Sequence, residues 1–531
     1  MNLDALSISD SRVKISWLAI NLVSILSLIF LVAMICLPLL QVVRQTHLSS
    51  FSQVWQDEYM RHLLVWTVLQ AGISAILVLI LGVPVAWVLA RLQFRGRRLL
   101  LRLLMLPFVM PTLVAGMGVL ALFGDQGMLW RGWADTPYLL LYGNVFFNLP
   151  VLVRAAYQGL CQVSATQLQV AQTLGANHWR CFWLIEWRSL RAWLVGGMCL
   201  VFLYCFSGFG LALLLGGVHY ATLEVQIYQL IAYELDMDQA GVLVLWALAV
   251  TLTTGISYAW LSKWTAQETI IKPLLPTVPR GIGQKILLGS SLMFLFFFCG
   301  MPLLAVCWHA LMAGRSWTVL LETDTWQAIW NILRFSILAM FLALLLGLSH
   351  AALAKRFSWV RSMTFLPFMV SPVCISFGLL LCYPSWTASL SMLVCTYALL
   401  AYPFITKDVL AAWDGLPSSY VQVARTLGAR PSQVIIYIIL PLLRPALQRG
   451  LALSAATCVG EFAATLFLSR PEWQTLTTLI YHYLSKAGQD NYDRAMVLTS
   501  MLMLLAMLIF IVLEWRRAAM EKDSRCLSGK E

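Results

Sequence analysis

A single carboxylate lies within one of the apolar stretches of this 531-residue chain. Glu461 lies beside Gly460 within the apolar stretch 446–469, where an ionisable side chain is costly and is by default a functional candidate. A carboxylate at such a place would attract a cationic solute. A hydrogen-bonded Glu that stabilises a break in a helix is the alternative, and the sequence leaves both interpretations open.

Three uncharged residues are further candidates for a solute pathway. Phe209 and Phe462 stand at equivalent positions of an internal repeat, and Asn148 precedes Pro150 in another apolar stretch. Packing of aromatic rings in a core is the alternative role for the two phenylalanines. The twelve cysteines and seven histidines show no metal-ligand spacing, so we expect no metal site and no catalytic centre.

Composition places these residues in a membrane protein. Hydrophobic residues make up 60% of the chain, charged residues only 11%, and the mean hydropathy is +0.79, whereas soluble domains contain about 25% charged residues. The net charge of +12 fits cytoplasmic loops of a membrane chain. The lipid bilayer is therefore the expected environment, and no nucleic-acid partner is expected.

The elements that would position these side chains are membrane-spanning helices. A helix needs about 20 apolar residues to cross a bilayer. Twelve stretches qualify: roughly 16–40, 63–90, 100–123, 137–158, 192–216, 241–262, 284–311, 328–354, 361–383, 388–411, 446–469 and 495–514. The sequence predicts an all-α polytopic membrane protein with about twelve transmembrane helices.

The distribution of basic residues predicts the orientation. With the N-terminus inside, the cytoplasmic segments collect the cations of 91–98, 263–285, 355–361 and 516–530. The opposite loops are comparatively acidic. The positive-inside rule therefore predicts a multi-pass protein with both termini in the cytoplasm.

The chain contains a tandem repeat of its two halves. The string QVAQTLGA, 169–176, recurs as QVARTLGA, 422–429, at an offset of 253 residues. The same offset relates Pro150 to Pro403 and Phe209 to Phe462. Because each half has six spans, the two copies share one orientation and form a parallel repeat. We predict a first half at 1–262, a cytoplasmic linker at 263–283 and a second half at 284–531.

Each repeated string lies in a long loop between the fourth and fifth spans of its half, at 162–191 and at 415–445. Apolar residues before the glycine predict a short amphipathic helix, and Gly175 or Gly428 is placed to end it. A second helix follows each glycine. Two such helix–turn–helix loops at equivalent positions indicate a partner with two equivalent binding sites.

These two loops resemble the EAA motif of bacterial ABC importer permeases, whose pattern is Glu-Ala-Ala, three residues, Gly, nine residues and Ile-x-Leu-Pro. The second loop matches with every gap in place. The first departs where Trp187 and Arg188 replace Leu-Pro, and both loops carry Gln in place of the leading Glu. A neutral Gln makes hydrogen bonds roughly half as strong as charge-assisted ones. We therefore expect apolar contacts of Leu174 and Leu427 to contribute more to binding of the ATPase subunit.

The resemblance implies a type I importer permease that is itself no enzyme. No phosphate-binding Gly-x-x-x-x-Gly-Lys-Ser/Thr string occurs in the sequence, so ATP would bind to a separate subunit. The implied partners are two copies of an ABC ATPase and a periplasmic solute-binding protein, at the bacterial inner membrane. The residues expected to contact the ATPase are Gln169, Val170, Ala171, Leu174, Gly175, Ala176, Ile185, Gln422, Val423, Ala424, Leu427, Gly428, Ala429, Ile438, Leu440 and Pro441.

Within this family, permeases with two fused halves include those for thiamine and those for ferric iron. The stretches FGDQGMLW at 123–130, FFNLP at 146–150 and IYQLIAYELD at 227–236 are similar to the thiamine permeases. The resemblance implies import of thiamine or thiamine phosphates, with ferric iron as the alternative. A twelve-span secondary transporter is a further alternative, although Glu461 is nearly alone as an intramembrane ionisable residue.

Overall fold

The computed structural model describes residues 25–217, 219–265, 274–387 and 389–527, and regular structure in these ranges is helical. Ten helices among them are long and apolar enough to cross a membrane, and two bent helix pairs bring the number to as many as twelve. The ten are Ile25–Gln45, Glu58–Arg91, Pro137–Cys161, Trp179–Phe206, Met237–Tyr258, Ile282–Met312, Thr323–Arg356, Leu390–Asp414, Ser432–Gly460 and Gln489–Ile511. The predicted fold class is thereby confirmed.

Two predicted spans are sharply bent rather than straight. Arg97–Val109 meets Thr112–Phe123 at 96°, and Ser358–Met369 meets Pro372–Cys382 at 95°. A proline follows each break, and a residue before proline is driven out of the helical region. Accordingly, Met110 before Pro111 has ψ 146°.

Short helices connect or extend the spans. They are Leu48–Gln56, Ala165–Thr173, Phe209–Leu215, Leu223–Gln229, Ser418–Thr426, Ala463–Leu468 and Leu476–Leu484. Two of them follow breaks at nearly equivalent positions of the repeat, since Phe209–Leu215 begins after Gly208 and Ala463–Leu468 begins after Phe462. Both halves therefore interrupt the fifth span at the same point to within one residue.

The described residues form two compact units, each assembled from discontinuous segments. Unit A contains the described parts of 1–41, 327–475 and 505–531. Its helices Leu390–Asp414 and Leu440–Gly460 pack closely because Gly450 has no side chain: a Cβ atom there would lie 2.7 Å from the Cα atom of Ile405. Small residues are the usual means of such close approach between membrane helices.

Most of the first membrane helix, as far as Gln41, belongs to unit A. Leu28 packs against the buried cluster of Leu353, Ala354, Val360 and Leu410. The hydroxyl of Tyr383 donates a hydrogen bond of 3.0 Å to the carbonyl of Ala33. Gly378 approaches Pro38 so closely that a Cβ atom would lie 2.9 Å from the proline ring.

Unit B contains the described parts of 42–326 and 476–504. Its helix Met301–Met312 packs on Thr112–Phe123, where a Cβ atom on Gly118 would lie 2.7 Å from the carbonyl oxygen of Pro302. The segment 476–504 is held by Glu322, which accepts hydrogen bonds from Tyr483 at 2.7 Å and from Arg494 at 2.8 Å.

Each unit thus includes the first membrane helix of the opposite sequence half. Gly118 of the first half contacts Pro302 of the second, and Gly378 of the second half contacts Pro38 of the first. The predicted halves at 1–262 and 284–531 describe the repeat and stay a prediction. Residues 16–24 of the first predicted span and 266–273 of the predicted linker lie outside the described residues.

Candidate coupling loops and solute pathway

The first repeated loop forms a short helix that ends in a tight glycine turn. Ser164 caps the helix Ala165–Thr173 by accepting a hydrogen bond from the Gln167 amide. Gly175 then adopts φ +83°. The amide of Ala176 donates to the Ala171 carbonyl at 2.9 Å, one of the two bonds of a Schellman turn.

The second loop repeats this geometry. The helix Ser418–Thr426 ends at Gly428 with φ +80°. The amide of Ala429 donates to the Ala424 carbonyl at 3.0 Å, as its counterpart does in the first loop. The predicted helix, glycine turn and second helix are therefore present in both copies.

A π-helical turn follows each glycine turn at repeat-equivalent positions. The turns are Phe182–Glu186 in the first copy and Ile435–Ile439 in the second. Each lies near the start of a span, Trp179–Phe206 or Ser432–Gly460, and continues directly into the α-helix Trp187–Phe206 or Leu440–Gly460. Such turns occur frequently at functional sites, and here they join each loop to a membrane helix.

Apolar side chains at the tip of each loop face outward. Leu174 and Leu427 are each 82% exposed, and Val170 and Val423 are each more than half exposed. The leading Gln169 and Gln422 are exposed as well. An exposed apolar surface rimmed by polar groups marks an interaction site, so these tips are candidates to dock on another protein.

The second loop also carries an apolar groove of about 710 Å³. Its walls come from the helix Ser418–Thr426 and from the following turn and span. The lining residues are Ser419, Tyr420, Val423, Ala424, Leu427, Tyr437, Ile438, Pro441 and Leu442. Five of the predicted coupling residues therefore share one surface.

The remaining predicted coupling residues lie around these tips. Ile185 is half-buried in the π-helical turn of the first loop, and Leu440 is 40% exposed at the start of the helix Leu440–Gly460. In the first copy, the rings of Trp183 and Trp187 pack 5.3 Å apart. Trp187 therefore supplies a bulky apolar group where the motif expects leucine.

A buried ion pair ties the first loop to the second span, and the sequence analysis missed it. The Glu186 carboxylate lies 2.8 Å from the Arg91 guanidinium, and both side chains are less than 10% exposed. The indole of Trp87 donates a second hydrogen bond to Glu186 at 2.9 Å. An acid between two apolar residues, Ile185 and Trp187, was the signal that could have revealed it.

Glu461 lies at the helix break and is only 8% exposed. Its carboxylate accepts a hydrogen bond of 2.9 Å from the Ala464 amide at the start of helix Ala463–Leu468. The structure therefore contains the hydrogen-bonded arrangement that the sequence left as the alternative. Whether the charge also acts on a solute stays a prediction.

The other predicted pathway residues are buried in their units. Phe462 is 2% exposed and directly precedes the helix Ala463–Leu468. Phe209 is also 2% exposed, and its ring meets that of Tyr228 edge-on at 5.7 Å. Aromatic packing, the alternative role, is thus present for Phe209.

Asn148 belongs to a buried polar network in unit B. Its amide donates to the Asn144 carbonyl at 3.0 Å and to the Cys205 sulfur at 3.3 Å. Asn144 in turn donates to Gln70 at 2.7 Å, and Gln70 donates to the Cys205 carbonyl at 2.9 Å. The network joins three spans beside the break at Gly208.

Glu224 is a second buried carboxylate that the sequence analysis did not single out. It is fully buried in helix Leu223–Gln229, one turn before Tyr228. Residues four apart lie on one helical face, so Glu224 shares a face with the ring that contacts Phe209. Its counterpart in the second half is Thr477, and this asymmetry was the available signal.

Comparison with known proteins identifies the repeat. The family described as binding-protein-dependent transport system inner membrane component matches residues 82–270 and again residues 339–523. The family model matches twice in tandem, so the fusion of two related halves is confirmed, although the first match extends eight residues into the predicted linker.

Similar proteins fall into two groups by length. The thiamine transport system permease protein ThiP of Escherichia coli (strain K12) is 29% identical over 87% of this chain and 90% of its own length. The ThiP protein of Salmonella typhimurium is 27% identical over 88% and 91%. The sulfate transport system permease protein CysW of Synechocystis is 30% identical, but over 43% of this chain and 87% of its own length. One half of this chain thus corresponds to nearly all of CysW.

Proposed function

Since this chain belongs to the family of binding-protein-dependent transport system inner membrane components, we propose that it is the permease subunit of an ATP-driven importer of thiamine or thiamine phosphates. The observation that carries the substrate is similarity to thiamine permeases over nearly nine-tenths of the chain. Ferric iron is the alternative solute that the sequence suggested.

The two loops couple the permease to ATP hydrolysis. Each presents a leucine that is 82% exposed, Leu174 or Leu427, beside a rigid glycine turn. Two similar tips on one polypeptide suit a pair of identical ATPase subunits, which bind the ATP that this chain does not. A periplasmic binding protein delivers the solute to the opposite face, and both termini lie in the cytoplasm.

Rigid attachment of the loops converts ATPase movement into movement of the spans. Each loop continues through a π-helical turn into a membrane helix, so displacement of a tip moves that helix. When ATP draws the two ATPase subunits together, the tips follow, and the permease changes between inward-open and outward-open states. Delivery of a loaded binding protein favours the outward-open state.

The solute pathway uses carboxylates and aromatic rings. Thiamine carries a permanently cationic thiazolium ring, which carboxylates attract and aromatic faces bind through cation–π interactions. Glu461, Phe462 and Asn148 are candidates from the sequence, and Glu224 joins Phe209 on the face described above. Movement of the spans during transport would expose these buried groups to the solute.

Uptake of labelled thiamine, with labelled ferric iron in parallel, tests the function. Cells that lack this chain and cells that carry it are compared at low external solute. Loss of thiamine uptake alone supports the proposal. Loss of iron uptake alone assigns the importer to iron, and unchanged uptake of both contradicts the substrate assignment altogether.

A further inference from the structure

A cluster of arginines follows the second span. Arg95, Arg97, Arg98 and Arg102 lie within eleven residues of Arg91, and the stretch 92–105 contains no acid. Among the described residues, Arg95, Arg98 and Arg102 have exposed side chains and make no ion pair. This stretch therefore carries a concentrated positive charge directly at the end of a membrane-length helix.

Arg97 holds the cluster in place. Its guanidinium donates hydrogen bonds to the Leu89 carbonyl at 2.8 Å and to the Tyr157 hydroxyl at 3.0 Å. The same guanidinium lies 5.6 Å from the centre of the Tyr157 ring. Arg97 thereby links the helix Arg97–Leu103 to the span that carries Leu89 and to the span that carries Tyr157.

The linker between the halves forms the other wall of a groove at this site. The Gln93 amide donates to the Thr277 carbonyl at 2.8 Å, and the Thr277 amide donates to the Arg91 carbonyl at 2.9 Å. These bonds place Pro276 opposite the arginines. The resulting groove has a volume of about 560 Å³ and is lined by Gln93, Phe94, Gly96, Arg97, Arg98, Leu99 and Pro276.

Exposed apolar side chains surround this basic groove. Leu99 is 59% exposed and Leu103 is 42% exposed on the same short helix as Arg98. On the linker, Leu275 is 77% exposed. Cationic and apolar groups side by side at a membrane boundary match the anionic head and the apolar tails of a phospholipid.

In unit A, the end of the span at the equivalent position of the repeat carries less uncompensated positive charge. There, Lys355 lies in the last turn of the span Thr323–Arg356 and Arg361 follows this span, and both pair with the Asp414 carboxylate. This one carboxylate offsets half of the charge of the two cations. An anionic ligand is therefore favoured more strongly at the arginine groove of unit B than at its counterpart.

We propose that the groove formed by 93–99 and Pro276 binds the phosphate headgroup of an anionic phospholipid. Arg98 contacts the phosphate, Arg95 and Arg102 add attraction from either side, and the acyl chains lie along Leu99 and Leu103. Free inorganic phosphate shares the headgroup chemistry. The exposed leucines at the rim favour the lipid, because free phosphate gains nothing from them.

Lipid retention by the purified full-length protein tests this site. The protein is extracted with phosphatidylglycerol or phosphatidylethanolamine, and lipid retained through stepwise detergent washing is counted by native mass spectrometry. Each arginine near an anionic surface contributes a factor of about five to binding. We expect the wild type to retain phosphatidylglycerol selectively, and R95Q/R98Q/R102Q to lose roughly a hundredfold in affinity.

Two further variants separate charge from folding. R44Q/R61Q/R131Q removes three exposed arginines elsewhere and should retain the lipid as the wild type does. R95K/R98K/R102K keeps the charge and should keep most of the binding. The proposal is overturned if the glutamine triple variant retains phosphatidylglycerol normally, if phosphatidylethanolamine is held equally well, or if millimolar inorganic phosphate displaces the lipid.

Discussion

At the scale of single residues, two acids in similar apolar surroundings have different partners. Glu186 pairs with a guanidinium at 2.8 Å, whereas Glu461 accepts a backbone hydrogen bond at a helix break. A buried charge needs such compensation, because leaving it unpaired is expensive. The role of each acid therefore depends on its hydrogen-bonding partner, and a substitution of each acid by glutamine tests that role.

Removal of one member of the buried pair should destabilise the protein. Glu186→Gln leaves the Arg91 charge buried, which costs about 3 kcal/mol, so the thermal unfolding midpoint in detergent should fall by several degrees. Asp414→Asn is the matched control, because that carboxylate is 29% exposed and such pairs contribute about 1 kcal/mol or less. Equal midpoints for both variants would contradict the role of the buried pair.

Glu461→Gln separates the charge of this residue from its hydrogen bond. The amide oxygen of glutamine can still accept the bond from the Ala464 amide, so the helix break should persist. If the carboxylate attracts a cationic solute, thiamine uptake should fall about tenfold or more at unchanged protein abundance. If this variant takes up thiamine at the wild-type rate, Glu461 serves only to accept the hydrogen bond at the helix break.

At the scale of elements, the two candidate coupling loops combine a left-handed glycine turn with an exposed apolar tip. The glycine conformation fixes the angle between the two helices of each loop, and the leucine next to it is the most exposed apolar residue there. Substitutions of the glycine and of the leucine test the turn and the exposed tip separately.

Gly428→Val should disrupt the turn of the second loop. Space is not limiting, since no atom lies within 4 Å of a Cβ atom at Gly428. The left-handed conformation costs an ordinary residue about 1–2 kcal/mol, and more for a β-branched one. We expect uptake to be lost with the protein still in the membrane, whereas Gly428→Asn, which tolerates this conformation, should keep much of it.

Leu174→Asp and Leu427→Asp should weaken docking of the ATPase. Each change places a charge at the centre of an apolar contact, and loss of one buried leucine contact costs roughly 2 kcal/mol. ATPase activity stimulated by the binding protein should fall more than tenfold in reconstituted vesicles. Ile282→Asp is the control, because Ile282 is 78% exposed and lies on the predicted cytoplasmic side outside both loops; an equal loss there would remove the evidence for specific docking.

At the scale of the whole molecule, the chain folds into units that draw on both halves. Unit B needs helix Met301–Met312 from the second half, and unit A needs the first membrane helix. A half expressed alone therefore lacks a helix that its own unit buries. The repeat is visible in the sequence, but we expect the stability of each unit to depend on the helix that the other half supplies.

Expression of the chain in two pieces, cut after residue 270, should show this dependence. The piece 1–270 alone would expose the surface around Gly118 that Pro302 covers, so we expect it to be degraded. Co-expression with 271–531 should restore both pieces to the membrane and recover uptake. Stable accumulation of either piece by itself would contradict the dependence.

The sequence by itself determined those features of this protein that depend on local pattern. Runs of about 20 apolar residues give the spans, and the repeated strings around Gly175 and Gly428 give two glycine-ended helices, because a left-handed turn selects glycine locally. The positions of the coupling tips followed from the same strings.

Only the tertiary structure decided which distant elements meet. The bends of 96° and 95°, the pairing of Arg91 with Glu186 across 95 residues and the burial of Glu224 arise from packing between helices far apart in the chain. The sequence marks such residues as unusual but does not name their partners, because hydrophobic patterning is the same whichever helix covers an apolar face.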